Sequence, residues 1–91
     1  MTQVSKIMDF EKNYFELFSL PVQFNIDEKA LVTRYRELQK DIHPDRFADR
    51  SSREQRLAMQ FSSFVNEAFE GLKTPLLRAE YLLKIAGFET N

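Results

Sequence analysis

The single histidine of the chain, His43, is the natural centre for any catalytic or metal site. A nucleophilic triad needs a serine or cysteine, a base and an orienting acid in one place. The chain has no cysteine, and its serines near the histidine stand where helix caps are expected. We therefore expect no catalytic residue and no cofactor. A metal site built on Asp41, His43 and Asp45 stays as an outside alternative, because three ligands so close on a turn are seldom well placed.

The triplet His43-Pro44-Asp45 has two interpretations. Proline and aspartate are common turn residues, so the triplet can be an ordinary loop between two helices. The same triplet is rare in a chain of this length, and it follows directly on a helix with a basic face. The second interpretation is therefore a binding loop at an exposed turn.

The charges of the chain are nearly balanced, with 13 Lys and Arg against 14 Asp and Glu and a net charge of −1. This balance argues against a general phosphate-binding surface, so a nucleic-acid-binding hairpin is a distant alternative. A local basic row nevertheless lies on one helix face, formed by Lys29, Arg36 and Lys40. Such a row is either an ordinary solvated face or a patch that steers an acidic partner.

Residues 1–12 lack the apolar core of a signal peptide and the arginine-rich character of a transit sequence. No apolar stretch approaches the roughly 20 residues that span a bilayer. We therefore expect a cytoplasmic protein with no membrane or nucleic-acid partner.

Capping residues, prolines and glycines divide the chain into helices at about 13–20, 27–42, 52–72 and 75–86. The second helix carries the apolar stripe Leu31, Tyr35, Leu38, Ile42, and the third carries Leu57, Phe61, Phe64, Ala68, Leu72. Facing stripes predict an antiparallel hairpin in an all-α fold, with the histidine loop at its tip.

The ends of the last two helices are marked by specific residues. The third helix can begin with either of two capping boxes, Ser51 with Glu54 or Ser52 with Gln55. The fourth begins at Thr74 with a proline in its first position and ends at Gly87. We expect one of its faces to pack inward, formed by Leu76, Ala79, Leu82, Leu83 and Ala86.

The order of these motifs resembles a J-domain of the DnaJ family. The resemblance rests on residues 13–18, 43–45 and 66–69, and it covers nearly all of residues 13–81. Within that family the chain is most similar to the amino-terminal domain of the HscB type, the co-chaperones of iron–sulfur cluster assembly. The closer likeness rests on HPDRF at residues 43–47 and on RAEYLL at residues 78–83.

The resemblance implies an adaptor and not an enzyme. It implies that the chain binds a DnaK-class chaperone ATPase of the HscA type, accelerates its ATP hydrolysis, and serves an IscU-type scaffold. Glu37 departs from the pattern, since many J-domains carry a second cation there. A generic J-protein that serves a DnaK-type chaperone is the alternative. Carried over position by position, the chaperone-binding residues are His43, Pro44, Asp45, Arg36, Lys40, Lys29, Arg46 and Phe47.

The resemblance also predicts how the chain is divided. We expect residues 1–12 to be a leader, residues 13–87 to be the J-domain, and residues 88–91 to begin a linker to a further, scaffold-binding domain. Scaffold binding is then expected to lie outside this chain. A second apolar face of the fourth helix, formed by Leu77, Tyr81 and Ile85, is expected to dock against that domain, and in this chain to be exposed or buried in a self-contact.

Overall fold

The computed structural model describes residues 8–87 of the 91-residue chain. Over this range the chain forms four α-helices and contains no β-strand, which confirms the predicted all-α fold. None of these helices is long and apolar enough to cross a membrane. The helices are α1 (Tyr14–Leu17), α2 (Glu28–Asp41), α3 (Ser52–Lys73) and α4 (Pro75–Ile85), with a 3-10 helix (Pro44–Phe47) between α2 and α3.

α1 is a single turn whose start is fixed by its cap. The Asn13 side chain accepts a hydrogen bond from the Glu16 N–H (2.8 Å), and the Glu16 carboxylate accepts one from the Asn13 N–H (3.1 Å). The helix ends at Leu17 and not at residue 20 as the sequence predicts. The reason is local, because Ser19 has a left-handed backbone with φ 57° that no α-helix can contain.

α3 is the central helix, since α1, α2, α4 and the 3-10 helix all pack against it. Of the predicted stripe, Phe61, Ala68 and Leu72 are buried, whereas Leu57 and Phe64 are partly buried and pack against the core. At 100° per residue, the centre of the observed stripe is rotated about the helix axis by about 40° from that of the predicted one. The reason is that α1 and α4 also pack against α3, in addition to α2. The buried residues of α3 are Ala58, Phe61, Val65, Ala68 and Leu72.

α2 and α3 form the predicted antiparallel hairpin, and polar side chains link them. The Asn66 amide oxygen accepts hydrogen bonds from the Tyr35 hydroxyl (2.7 Å) and from the Gln39 amide (2.8 Å). The Gln39 oxygen in turn accepts from the Ser62 hydroxyl (3.4 Å), and the Tyr35 ring stacks on Phe69 with centroids 4.1 Å apart. These polar contacts fix the position of α2 along α3 in addition to the packing of the core.

The inward face of α4 is centred on Arg78, which is 3% exposed, with Leu82 partly buried beside it. The predicted inward face is wrong for Leu76 and Leu83, which are 69% and 48% exposed, and for Ala86, which is also exposed. The guanidinium, and not a leucine, fills the space between α4, the end of α3 and the loop before α2. The predicted end of α4 is confirmed by Gly87, whose φ of 97° favours glycine.

Tyr81 joins α4 to α1. Its ring stacks on Tyr14 with centroids 4.0 Å apart, and its hydroxyl accepts a hydrogen bond from the Tyr14 N–H (2.9 Å). Burial raises the pKa of Tyr14 to about 12, and the hydrogen bond that its hydroxyl donates to Glu67 (3.0 Å) adds to the rise. Burial also raises the pKa of Tyr81. Tyr81 therefore makes a contact inside the domain and is partly buried, whereas Leu77 and Ile85 of the same helix face are exposed.

The residues before α1 pack against α3. Met8 is buried, and the Phe10 ring lies edge-on to Phe61 with centroids 5.4 Å apart. The core therefore includes part of the segment that the sequence predicts to be a leader, residues 1–12. Residues 1–7 and the start of the predicted linker, residues 88–91, lie outside the described residues.

Candidate partner-binding site

The loop at the tip of the hairpin is anchored at both ends by apolar side chains. Ile42, the C-cap of α2, and Phe47, the last residue of the 3-10 helix, are 2% and 6% exposed. Pro44 forces its neighbour His43 out of the helical region (φ −60°, ψ 141°) and then starts the 3-10 helix. The residues between the two anchors, 43–46, are all exposed. The sequence thus produces a short, fixed loop that points into solvent.

His43 and Asp45 form one small polar unit in this loop. The His43 Nδ1 atom accepts a hydrogen bond from the Asp45 N–H (3.2 Å). The Asp45 carboxylate lies 3.7 Å from the same Nδ1 atom. The Asp45 side chain is 93% exposed, and within residues 8–87 no lysine or arginine forms an ion pair with it. An exposed, unneutralised carboxylate on a fixed loop is suited to a cationic group on a partner.

The predicted basic row lies on the exposed side of α2. Lys29, Arg36 and Lys40 are all exposed, and none of them forms a salt bridge with another described residue. Glu37, the departure from the family pattern, is instead paired with Arg34 at 2.9 Å. The row is therefore not neutralised from within the described part of the chain, and it can act on an approaching partner.

A cleft of about 950 Å³ opens beside the loop, between the end of α2 and the first turns of α3. The sequence does not predict this cleft, because its shape depends on how α2, the loop and α3 pack together. The one feature of the sequence that could have indicated the cleft is Met59, a large apolar residue that lies off the core stripe of α3. Its side chain is 69% exposed. The cleft is lined by Gln39, Lys40, Ile42, His43, Pro44, Asp45, Ala48, Gln55, Ala58, Met59 and Ser62.

The metal-site alternative is not supported by this geometry. Over residues 8–87, no three His, Asp or Glu side chains come together in a way that could hold a metal ion. Asp41 is the last residue of α2, whereas His43 and Asp45 follow the bend at Pro44. Asp41 therefore does not join His43 and Asp45 to complete a set of three ligands.

Known proteins similar to this chain are HscB co-chaperones. The co-chaperone protein HscB homologue of Vibrio cholerae is 51% identical over 79 residues, which is 87% of this chain and 46% of that protein. The homologue of Shewanella pealeana is 49% identical over the same length, again 87% of this chain and 45% of that protein. No protein-family model matches the sequence.

Solved structures agree with the sequence comparison. The chaperone HscB from Vibrio cholerae superimposes with a TM-score of 0.84 at 50% identity, over 88% of this chain and 49% of that one. The human co-chaperone protein HscB superimposes with a TM-score of 0.84 at 38% identity, over 89% of this chain and 41% of that one. The chain is a homologue of the HscB co-chaperones. It spans about half the length of the HscB proteins that it matches.

The likeness to HscB confirms the resemblance drawn from the motifs, and it favours the HscB type over a generic J-protein. In this HscB homologue the structure presents His43, Pro44, Asp45 and Arg46 on the surface of one loop. Phe47 differs from the expectation, because its side chain is buried in the core. It anchors the loop and does not face a partner.

Proposed function

We propose that this HscB homologue binds a DnaK-class chaperone ATPase of the HscA type and stimulates its ATP hydrolysis in iron–sulfur cluster assembly. The observation that carries the proposal is the exposed Asp45 carboxylate on a loop whose two ends are buried in the core. The homology to HscB co-chaperones over 87% of the chain supports the same partner class. The chain acts as a regulator, and hydrolysis takes place in the partner.

The proposed mechanism has two parts. The unpaired cations of α2 attract an acidic face of the chaperone, which raises the rate of encounter and orients the loop toward it. The Asp45 carboxylate then forms a charge-assisted hydrogen bond with a cationic side chain of the chaperone. If this bond exists only in the hydrolysis-competent state of the chaperone, binding shifts the partner toward that state.

The test is single-turnover ATP hydrolysis by an HscA-type chaperone with the wild-type chain and with Asp45→Asn. A charge-assisted hydrogen bond contributes about 1.5–3 kcal/mol, so its loss should weaken stimulation roughly ten- to hundredfold. Asp49→Asn is the matched control, because Asp49 is exposed in the same tip segment, residues 43–50, and its replacement removes the same charge. No acceleration by the wild-type chain, or equal loss in both variants, would contradict the assigned role of Asp45.

The choice of chaperone is tested by comparing two partners under the same conditions. Stimulation of an HscA-type ATPase at lower concentrations than a DnaK-type ATPase supports the HscB-type function. The reverse order supports a generic J-protein.

We also propose that α4 presents a docking surface for a further domain and that an IscU-type scaffold binds through that domain and not through this chain. Leu77 and Ile85 remain exposed, at 42% and 39%, which supports the docking surface on α4.

The measurement that tests this docking surface is the NMR shift of the Leu77 and Ile85 methyl groups in this chain alone and in a chimaera. The chimaera adds the part of the Vibrio cholerae homologue that this chain does not match. Unchanged methyl shifts would remove the proposed docking, and scaffold binding by this chain alone would remove the second part.

A further inference from the structure

The side-chain amide of Gln55, in the first turns of α3, is hydrogen-bonded to the end of the tip segment. Its Nε2 atom lies 2.9 Å from the carbonyl oxygen of Phe47, 3.2 Å from that of Ala48 and 3.3 Å from that of Arg50. An amide nitrogen has two N–H groups, so three carbonyls share two donors. One side chain thus holds the main chain on the far side of the exposed loop.

Gln55 is available for this contact because the helix cap does not use it. The start of α3 is capped by Ser51 and Glu54, whose N–H and side-chain groups bond each other reciprocally at 3.1 and 3.4 Å. The alternative capping box of Ser52 with Gln55, which the sequence also allows, is not formed. The Gln55 side chain reaches back to the carbonyl groups of the tip segment instead.

The position of Asp45 depends on its backbone. The only described side chain that contacts its carboxylate is His43, which belongs to the same loop. The backbone of the loop is held on one side by Ile42 in the core. On the other side it is held by the Phe47 ring in the core and by the Gln55 amide on the Phe47 carbonyl. Among the described residues of α3, Gln55 is therefore the side chain whose hydrogen bonds hold the carbonyl groups at the loop's far end, and the Glu54 carboxylate beside it pairs with Arg50 (3.5 Å).

We propose that Gln55 is a positioning residue for stimulation of the partner ATPase. It holds the tip segment so that the Asp45 carboxylate is presented in one place, without touching the partner itself. When a binding-competent conformation is only partly populated, the apparent affinity falls by that fraction, so a loosened loop stimulates less. The proposal rests on the proposed function of the loop.

The test compares three variants at one position with a control on the same helix. Gln55→Met keeps the length of the side chain and removes its donors. Gln55→Glu keeps the shape and places a carboxylate against the three carbonyls, whereas Gln55→Lys restores N–H donors. Gln60→Met is the matched control, because Gln60 is an exposed glutamine of α3 that makes no side-chain hydrogen bond within the described residues.

Two readouts separate positioning from stability. The first is single-turnover hydrolysis by the HscA-type chaperone, measured with variants shown by far-UV circular dichroism to be folded. The second is hydrogen exchange of two loop amides, Arg46 N–H and Arg50 N–H, which bond the carbonyls of His43 (2.9 Å) and Phe47 (3.1 Å). Exchange of these amides reports loop opening without any partner.

We expect Gln55→Met to shift the loop toward its open form about three- to tenfold, the range that follows from losing one ordinary hydrogen bond, and so to speed exchange of both amides and to lower stimulation measurably, by up to the same factor. Gln55→Glu should be at least as severe, Gln55→Lys should restore both readouts, and Gln60→Met should match wild type. If Gln55→Met stimulates hydrolysis as strongly as the wild type while Asp45→Asn is defective, the inference about Gln55 is wrong and the proposed function still stands. If the wild-type chain fails to stimulate, the proposed function fails and the positioning role fails with it. Unchanged exchange in Gln55→Met would then show that Gln55 does not hold the loop either.

Discussion

Arg78 is the only charged side chain that is buried in the described part of the chain, and its replacement gives a clear prediction of stability. Its Nε atom donates to the Leu72 carbonyl (3.1 Å), Nη1 to the Phe24 carbonyl (2.9 Å) and Nη2 to the Glu28 carboxylate (3.1 Å). The guanidinium also lies 5.3 Å from the centre of the Phe24 ring. One side chain therefore ties α4 to the end of α3, to the loop before α2 and to the first turn of α2.

The magnitude follows from which of these partners is left buried. Without the guanidinium, the Leu72 carbonyl loses its donor in the interior and the Phe24 carbonyl loses one in a partly buried place, at about 1–3 kcal/mol for each buried group. The Glu28 side chain is 64% exposed, so its ion pair contributes only about 0–1 kcal/mol. We expect Arg78→Met to lower the free energy of unfolding by about 2–4 kcal/mol, a large share of the roughly 5–15 kcal/mol typical of a domain. The carbonyls, and not the ion pair, account for most of this loss.

The assay is urea unfolding followed by circular dichroism at 222 nm, since the chain has no tryptophan. Glu28→Gln is the control and should lose about 1 kcal/mol or less. Arg78→Lys should be intermediate, because an ammonium cannot reproduce the three-way fork of the guanidinium. A loss in Glu28→Gln as large as that in Arg78→Met would show that the ion pair dominates and that the reasoning from carbonyls is wrong.

Two further predictions concern Tyr14. Alanine in place of a helical glycine normally stabilises by about 1 kcal/mol, but a Cβ on Gly71 would lie 2.7 Å from the Tyr14 ring, which Tyr81 and Glu67 hold in place. Gly71→Ala should therefore lower the free energy of unfolding by about 1–2 kcal/mol, and it should raise it in a Tyr14→Ala background. Urea midpoints of the four proteins decide this, and stabilisation by Gly71→Ala in both backgrounds would contradict it. The raised pKa of Tyr14, about 12 against an ordinary 10.0, means that the folded state favours the neutral phenol. This contribution is complete below pH 10 and is lost as the pH rises from 10 toward 12, because the unfolded chain ionises first. The urea midpoint of the wild type should fall more steeply over that range than that of Tyr14→Phe, and equal slopes would refute the assignment.

The sequence predicts best those features that depend on near neighbours along the chain. The Asn13 cap and the start of α2 at Asp27, whose carboxylate accepts from the Lys29 and Ala30 N–H groups, require only residues within one turn. The break at Pro44 follows from the geometry of the proline ring. The exposure of the tip loop follows in turn, because a break between two amphipathic helices leaves its polar residues outside.

The sequence predicts poorly those features that depend on several helices at once. The buried stripe of α3 is set jointly by α1, α2 and α4, so facing stripes on two helices could not locate its centre. Arg78 was identified as part of a motif, but an arginine at the centre of a packed face is unusual, and only the carbonyls around it explain its burial. The burial of Phe47 is not predicted for a related reason, since a motif names a residue without saying which way its side chain points.

The two ends of α3 carry separate tasks, and this separation can be measured. Arg78 is bonded to Leu72 near the end of the helix, whereas Gln55 holds the tip segment near its start. The two positions lie about 25 Å apart at 1.5 Å per residue. The 3-10 helix packs against α3. Loss of Arg78 should therefore lower the free energy of unfolding while leaving stimulation by the folded molecules unchanged. Loss of Gln55 should lower stimulation while leaving the free energy of unfolding nearly unchanged. If Arg78→Met, measured under conditions where it is folded, stimulated as weakly as Gln55→Met, α3 would have to transmit changes along its whole length.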